Sequence, residues 1–486
     1  FPLVIRAAVQ DRERSGKLVG TAYAFNTGGS IIGSFAAGFI LMPWLGLNAA
    51  ITVVIVLNLV VAIAIATIEL RLVHSMRKIA YVAAAAVMAV GVFIAAPSID
   101  RVGLTRGMFR AYFARELFDP EKLAKDSPEL VFYEDGLNAT ITVEKRGELF
   151  TLKANGKPEA SDGADMATQV VVGLMPYIVR AERPDVEVGE EESVMIGFGS
   201  GVTAGAALQW PLGRLEVIEI EEAMVEASHF FDHVNNKPLE DERMTIIESD
   251  GRNYLEYTDK KYDVIVSEPS NPWIAGVSAL FTVEHFRRAR GHLEPGGVFG
   301  QWVQLYEMRP DNVKVIISTF LEVFPHVQAF SSKPKSTDII LVGSNEPIPV
   351  PNGGYERAWA IDSVREELQR VGIRQPDEFY GLMFMSEKEL REFAGDAPLN
   401  TDDNGLLEFE APKDLIMYNR GEKFFTDVYV ERTVYGDVRP YLDGWPDGEY
   451  WTVERVGSLG RAQWLGGKPE FSKIIMEDAG YGTFDD

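Results

Sequence analysis

The chain has 486 residues, no cysteine and a net charge of −25. That length allows two or three domains, and the missing thiols exclude disulfides, thiolate metal sites and cysteine nucleophiles. The +6 carried by residues 1–110 leaves −31 on the rest, which excludes a basic nucleic-acid-binding face and favours a cationic small substrate.

No charged residue occurs between Leu18 and Ile68. About twenty apolar residues cross a bilayer, so spans are expected over about 20–42 and 47–68, turning at Pro43-Trp44-Leu45-Gly46, with a third over 79–96. Gly29, Gly33 and Gly38 supply small residues for close helix packing in lipid. Arg6, Arg12, Arg14 and Lys17 precede the first span, and Arg71, Arg77 and Lys78 follow the second. The positive-inside rule puts both groups in the cytoplasm and the soluble part on the other side. Arg101, Arg106 and Arg110 pull against that orientation. The domain reading is 1–100 membrane helices, 101–165 linker and small β-domain, 166–350 nucleoside-binding domain, and 351–486 C-terminal extension.

Residues 130–160 alternate apolar and polar residues between turns at Asp135-Gly136, Arg146-Gly147 and Asn155-Gly156, the pattern of a small antiparallel sheet. The core motif follows. Ser193-Val-Met-Ile-Gly-Phe-Gly-Ser-Gly201 reads as a strand entering a glycine turn, with Gly197, Gly199, Ser200 and Gly201 in the turn. Leu215–Glu221, Thr245–Gly251 and Tyr262–Val266 read as three more strands, carrying Glu219, Asp250 and Glu268 at or just beyond their ends. Strand–turn–helix repetition predicts a parallel, doubly wound α/β sheet that binds ligands at the strands' carboxyl ends. An acid about twenty residues after a glycine turn suits ribose hydroxyls. The spacing Gly-x-Gly-x-Gly, with no following Gly-Lys-Ser/Thr, fits a nucleoside with a small charged arm better than a dinucleotide or triphosphate. Later, Gly300–Tyr306 continues the sheet and Asp338–Gly343 reads as its last strand. His229 and His233, with Asp232 nearby, are spaced for one helical face, but no third zinc ligand accompanies them.

Ile196–Gly201, Val217–Glu221, Ser249–Gly251, Tyr262–Ile265, Glu268-Pro-Ser-Asn-Pro272, Leu280–Thr282 and Leu293–Gly297 together resemble the spermidine synthase (polyamine aminopropyltransferase) family. The wider chain, roughly Gly20 to Phe409, looks like that family's membrane-fused members. The resemblance implies a Rossmann-like class I methyltransferase fold, preceded by a small antiparallel β-domain and a three-helix transmembrane segment. It also implies a transferase moving an aminopropyl or related group from decarboxylated S-adenosylmethionine, or S-adenosylmethionine itself, to an amine. A methyltransferase-like enzyme and a non-catalytic membrane scaffold remain open alternatives. Partners implied are a small amine, the lipid bilayer, and a homo-oligomer or membrane complex, with no nucleic acid and no metal.

Carried over residue by residue, Glu268 takes the proton-accepting position. Asn271 takes the amine-binding position, where the family has a second Asp. Gln169, Gln304 and Tyr306 fall to the substrate side. Gly197, Gly199, Ser200, Gly201, Glu219, Asp250 and Gly251 fall to the nucleoside side. Ser200 stands where the family's Asp holds the donor ammonium, and Thr168-Gln169 where Tyr-His is usual. The segment Asn155–Ser161 is expected to enter the site. Asn400–Asn404 is expected to be a capped turn.

Overall fold

The computed structural model describes residues 15–72, 83, 87, 101–105, 107, 128–332, 336–349, 353–376, 378–418, 456, 460 and 469–479. Two compact units emerge, one from residues 1–106 with 133–141, the other from 107–132 with 142–486.

In the first unit, helix α1 (Ser15–Ala36) runs through a π-helical turn, Ala37–Leu41, into α2 (Met42–Leu72). The chain breaks helical geometry at Gly46, with φ +72°, where the Pro-Trp-Leu-Gly turn was expected. The Leu47 N–H donates to Asp135 Oδ2 at 2.9 Å. Among the described residues, one helical stretch, Gly16–Leu41, is long and apolar enough to cross a membrane. The apolar part of the next, Ala49–Val61, is shorter than a bilayer crossing. Among the described residues the expected three-span segment is therefore reduced to one candidate. The third span, 79–96, lies outside the described residues but for positions 83 and 87, and the flanking charges Arg6, Arg12, Arg14, Arg77 and Lys78 lie outside them too.

Four strands, β1 (Glu129–Asp135), β2 (Thr140–Arg146), β3 (Leu149–Ala154) and β4 (Lys157–Ser161), form a sheet in sequence order, and β3 pairs antiparallel with β4.

The larger sheet is mixed. It combines β5 (Glu192–Ile196), β6 (Arg214–Glu219), β7 (Met244–Glu248), β8 (Tyr262–Ser267), β9 (Leu293–Gln304), β10 (His326–Ser331), β11 (Asp338–Ser344) and β12 (Met383–Met385). Their order is β12-β10-β11-β9-β8-β5-β6-β7. The five strands β5–β9 are parallel, as expected of strand–helix repeats. The last three are antiparallel, because β10 and β11 are joined by a connection too short for a crossover. β12 lies beyond Asp338–Gly343, which is therefore not the last strand.

The central strands β5, β6, β8 and β9 are largely buried because both faces are covered. Period-two alternation sends Val194 and Ile196 into one core cluster and Met195 into the other. The second cluster holds Phe286, Phe299, Phe320 and Phe324, with the Phe299 and Phe324 rings stacked 5.4 Å apart. Helix α3 (Met166–Ala181) packs into the first cluster and presents Thr168 and Gln169 at its N-terminal end. A capping network holds Asn400–Asn404, matching the capped turn expected there. The buried Asn400 amide donates to the carbonyls of Ser278 (3.3 Å) and Phe281 (3.0 Å), and Asn404 Oδ1 accepts the Thr401 and Leu406 N–H groups at 3.0 Å. The helix that follows is α4 (Leu406–Tyr418).

Candidate active site

The parallel strands end on one edge, and the chain turns there through its polar residues. Gly197, directly after β5, has φ +96°. A Cβ on it would lie 2.7 Å from the Glu268 carbonyl oxygen, so only glycine lets the two strand ends approach. The Glu268 N–H donates to Ile196 O at 3.0 Å, closing the same contact.

Glu219 ends β6 and is 7% exposed. Its Oε2 accepts the Phe198 N–H at 2.9 Å. Its Oε1 accepts those of Ile220 (2.9 Å) and Glu221 (3.0 Å). Burial pushes its carboxyl above the usual carboxylate range, and the three N–H donors pull it back. Glu219 therefore braces the glycine turn from the neighbouring strand. Asp250 caps the helix Gly251–Tyr257, with Oδ1 accepting the Asn253 N–H at 2.7 Å. Gly251 is required by packing, since a Cβ there would meet Ile196 Cγ2 at 2.4 Å.

The acidic side is built around Glu268. Burial pushes its carboxyl up to about 7, and the negative charges of Asp338 and Asp165 add to the rise. A hydrogen bond from Thr203 opposes it. Asp338 Oδ2 accepts the Thr168 hydroxyl at 3.0 Å. Asp338 opens β11 and pairs in register with Gln304 of β9.

Several of the sequence-predicted residues pair with one another. The Ser200 hydroxyl donates to Gln169 Oε1, and Gln169 Nε2 donates to Ser161 O at 3.0 Å. Asn271, fully buried, donates from Nδ2 to the Tyr306 hydroxyl at 3.1 Å. Gln304 Nε2 donates to Tyr306 O at 3.3 Å. The acceptor oxygens Asn271 Oδ1 and Gln304 Oε1 are buried without a protein partner. Polar atoms buried this way are costly unless something satisfies them.

Lys157 belongs to the Asn155–Ser161 segment expected to enter the site, whereas Thr203, Asp338 and the α4 contact were not foreseen. Lys157, 3% exposed at the start of β4, places Nζ 2.6 Å from Glu159 Oε2 and 2.9 Å from Ser270 Oγ. Thr203 and Asp338 act on Glu268. Helix α4 packs Ala411 and Leu415 against Trp273, directly beyond the Glu268–Pro272 loop. An acid opening an apolar strand run was the available signal for Asp338; the α4 contact had none.

The histidine pair is corrected. His229 lies in a 3₁₀ turn, Ser228–Phe231, which ends before His233, so the two do not share an α-helical face. His233 Nε2 lies 2.9 Å from Asp162, and His229 Nδ1 lies 3.5 Å from Asp232. Among the described residues no group of three or more ligating side chains is arranged for a metal.

The strand order, the glycine turn and the strand-end acids define an α/β domain of the Rossmann-like methyltransferase fold. Residues 185–334 match the family described as spermine/spermidine synthase domain. The chain is 24% identical over 299 residues to a polyamine aminopropyltransferase of Corynebacterium efficiens, covering 61% of this chain and 53% of that one. It is 28% identical over 171 residues to the polyamine aminopropyltransferase of Thermococcus onnurineus, covering 34% of this chain and 59% of that one. The chain thus spans between half and three-fifths of these relatives' lengths. Among solved structures, spermidine synthase from Thermotoga maritima aligns with a TM-score of 0.38 at 16% identity, covering 60% of this chain and 87% of that one.

Proposed function

We propose that this protein transfers an aminopropyl group from decarboxylated S-adenosylmethionine to an amine, and that Gly16–Leu41 anchors it to a membrane. The observation that supports the reading is the close approach of Gly197 to Glu268, which sets the glycine turn beside a carboxyl raised by burial. Glu219 and Asp250 hold the ribose and adenine of the donor. The donor supplies a carbon activated by its sulfonium. The acceptor's neutral nitrogen forms the new C–N bond as the C–S bond breaks, with the electron pair passing to sulfur and 5′-methylthioadenosine leaving. The Glu268 carboxylate takes the proton that the nitrogen sheds. A carboxyl titrating near 7 suits this role, because general bases work best near ambient pH.

A second reading, use of S-adenosylmethionine itself, draws on Ser200. Its neutral hydroxyl, turned to Gln169, offers the donor no carboxylate and so no repulsion of a second one. Incubation of the protein with each donor and a panel of amines separates the readings. 5′-Methylthioadenosine formed from the decarboxylated donor supports the first, and S-adenosylhomocysteine formed from S-adenosylmethionine supports the second as methyl transfer. Neither product from any pairing sinks both.

A further inference from the structure

The acid loop carries a cation of its own. Lys157 reaches from β4 to the Glu268–Pro272 loop, with Nζ held by Glu159 (2.6 Å) and Ser270 (2.9 Å) and 5.8 Å from the centre of the Trp273 ring. Ser270 also donates to Glu159 Oε1 and Oε2, both at 3.0 Å. Lys157 and Glu159 expose only 4% and 14% of their side chains. Ser270 and Trp273 lie within two residues on either side of Asn271, which stands on the amine side of the proposed site.

We propose that Lys157 is a specificity-determining residue whose ammonium fills the place a second substrate ammonium would take. This rests on the transferase reading above. An ammonium in a buried site needs a carboxylate and hydrogen-bond acceptors to replace its water. Beside Ser270 the carboxylate is Glu159, and it is already satisfied by Lys157 and Ser270, while Glu268 is kept for the attacking nitrogen. The neutral Asn271 adds no negative charge, and Lys157 repels any cation brought close. The acceptor class is therefore a monoamine, with one attacking nitrogen and no ammonium at its far end. Selection against the wrong ligand through a built-in like charge is a common route to specificity.

The test compares butylamine with 1,4-diaminobutane by calorimetry on the full chain and on Lys157→Met, which keeps the apolar stem beside Trp273 but frees Glu159. The wild-type protein should bind the two amines within about threefold of each other, while Lys157→Met should gain at least tenfold for the diamine and little for butylamine. Lys157→Gln, a smaller disturbance of the polar surroundings, should gain in the same direction. Adding Glu159→Gln to either should abolish the gain. A wild-type preference of tenfold or more for the diamine overturns the proposal. So does a failure of both folded Lys157 variants to gain diamine affinity. 5′-Methylthioadenosine is titrated into the same samples. Its failure to bind would remove the donor assignment, while the amine comparison still decides the role of Lys157.

Discussion

The Ser200 hydroxyl donates to Gln169 Oε1, tying the glycine turn to the first turn of α3. Both side chains are buried, at 2% and 6% exposure, so neither is a free surface group. Where a carboxylate would hold a donor ammonium and repel a neighbouring carboxylate, this turn is neutral. We expect S-adenosylmethionine and its decarboxylated form to bind within about tenfold, or roughly 1.4 kcal/mol. Ser200→Asp should widen that gap in favour of the decarboxylated form. Parallel titrations decide it, and a strong wild-type preference for the decarboxylated donor would defeat the argument.

The turn is also clamped from behind. A Cβ on Gly205 would lie 1.8 Å from the Asn235 carbonyl oxygen, and backbone cannot yield as a side-chain tip can. Asn235 in turn donates from Nδ2 to Ser200 O (3.0 Å) and Ser228 O (3.2 Å). Gly205→Ala should therefore destabilise the domain by about 3 kcal/mol or more, at the top of the range for overpacking. Urea denaturation would measure it. A loss under about 1 kcal/mol would mean that the Asn235 segment moves away freely.

What the sequence made legible was local. Apolar runs ending in Glu219, Asp250 and Glu268 mark strands whose ends gather on one edge, because parallel strands share a direction. The antiparallel end of the sheet was harder. β12 has only 3 residues, and the pairing of Phe330 with Met383 links segments far apart in the chain. The approach of α4 to Trp273, and of Lys157 to Ser270, are tertiary contacts without any periodicity to announce them. The histidine spacing misled because that segment is wound as a 3₁₀ turn, where residues four apart do not align.

Glu219 separates ligand binding from bracing. Glu219→Ala would strip the Phe198, Ile220 and Glu221 N–H groups of their acceptor as well as removing the proposed ribose partner. Leaving buried donors unpaired costs about 1–3 kcal/mol, so stability should fall along with nucleoside affinity. Affinity for 5′-methylthioadenosine should drop by roughly 1.5–3 kcal/mol, the scale of a charge-assisted hydrogen bond. Calorimetry at a temperature where the variant stays folded distinguishes the effects. Lost stability with unchanged affinity would leave Glu219 a brace alone.

Glu268 links pH to both stability and rate. Its carboxyl titrates at about 7 in the fold, against 4.5 for an unperturbed glutamate. The folded state therefore holds a proton that the unfolded chain has released, and stability falls as pH rises between those values. The loss is complete above the folded value and amounts to at most roughly 3 kcal/mol. Glu268→Gln, which cannot ionise, should match the wild type near pH 4 and exceed it in stability at pH 8. Activity should run the other way, rising through about pH 7 in the wild type as the carboxylate becomes able to accept a proton. The Gln variant should lose that rise together with most of the rate, a general base being worth about 10²–10⁴-fold. Denaturation at the two pH values and a rate profile across them make the comparison. A Gln variant that keeps the wild-type rate and pH profile would assign the proton to another group, with Asp338 the next carboxylate to test.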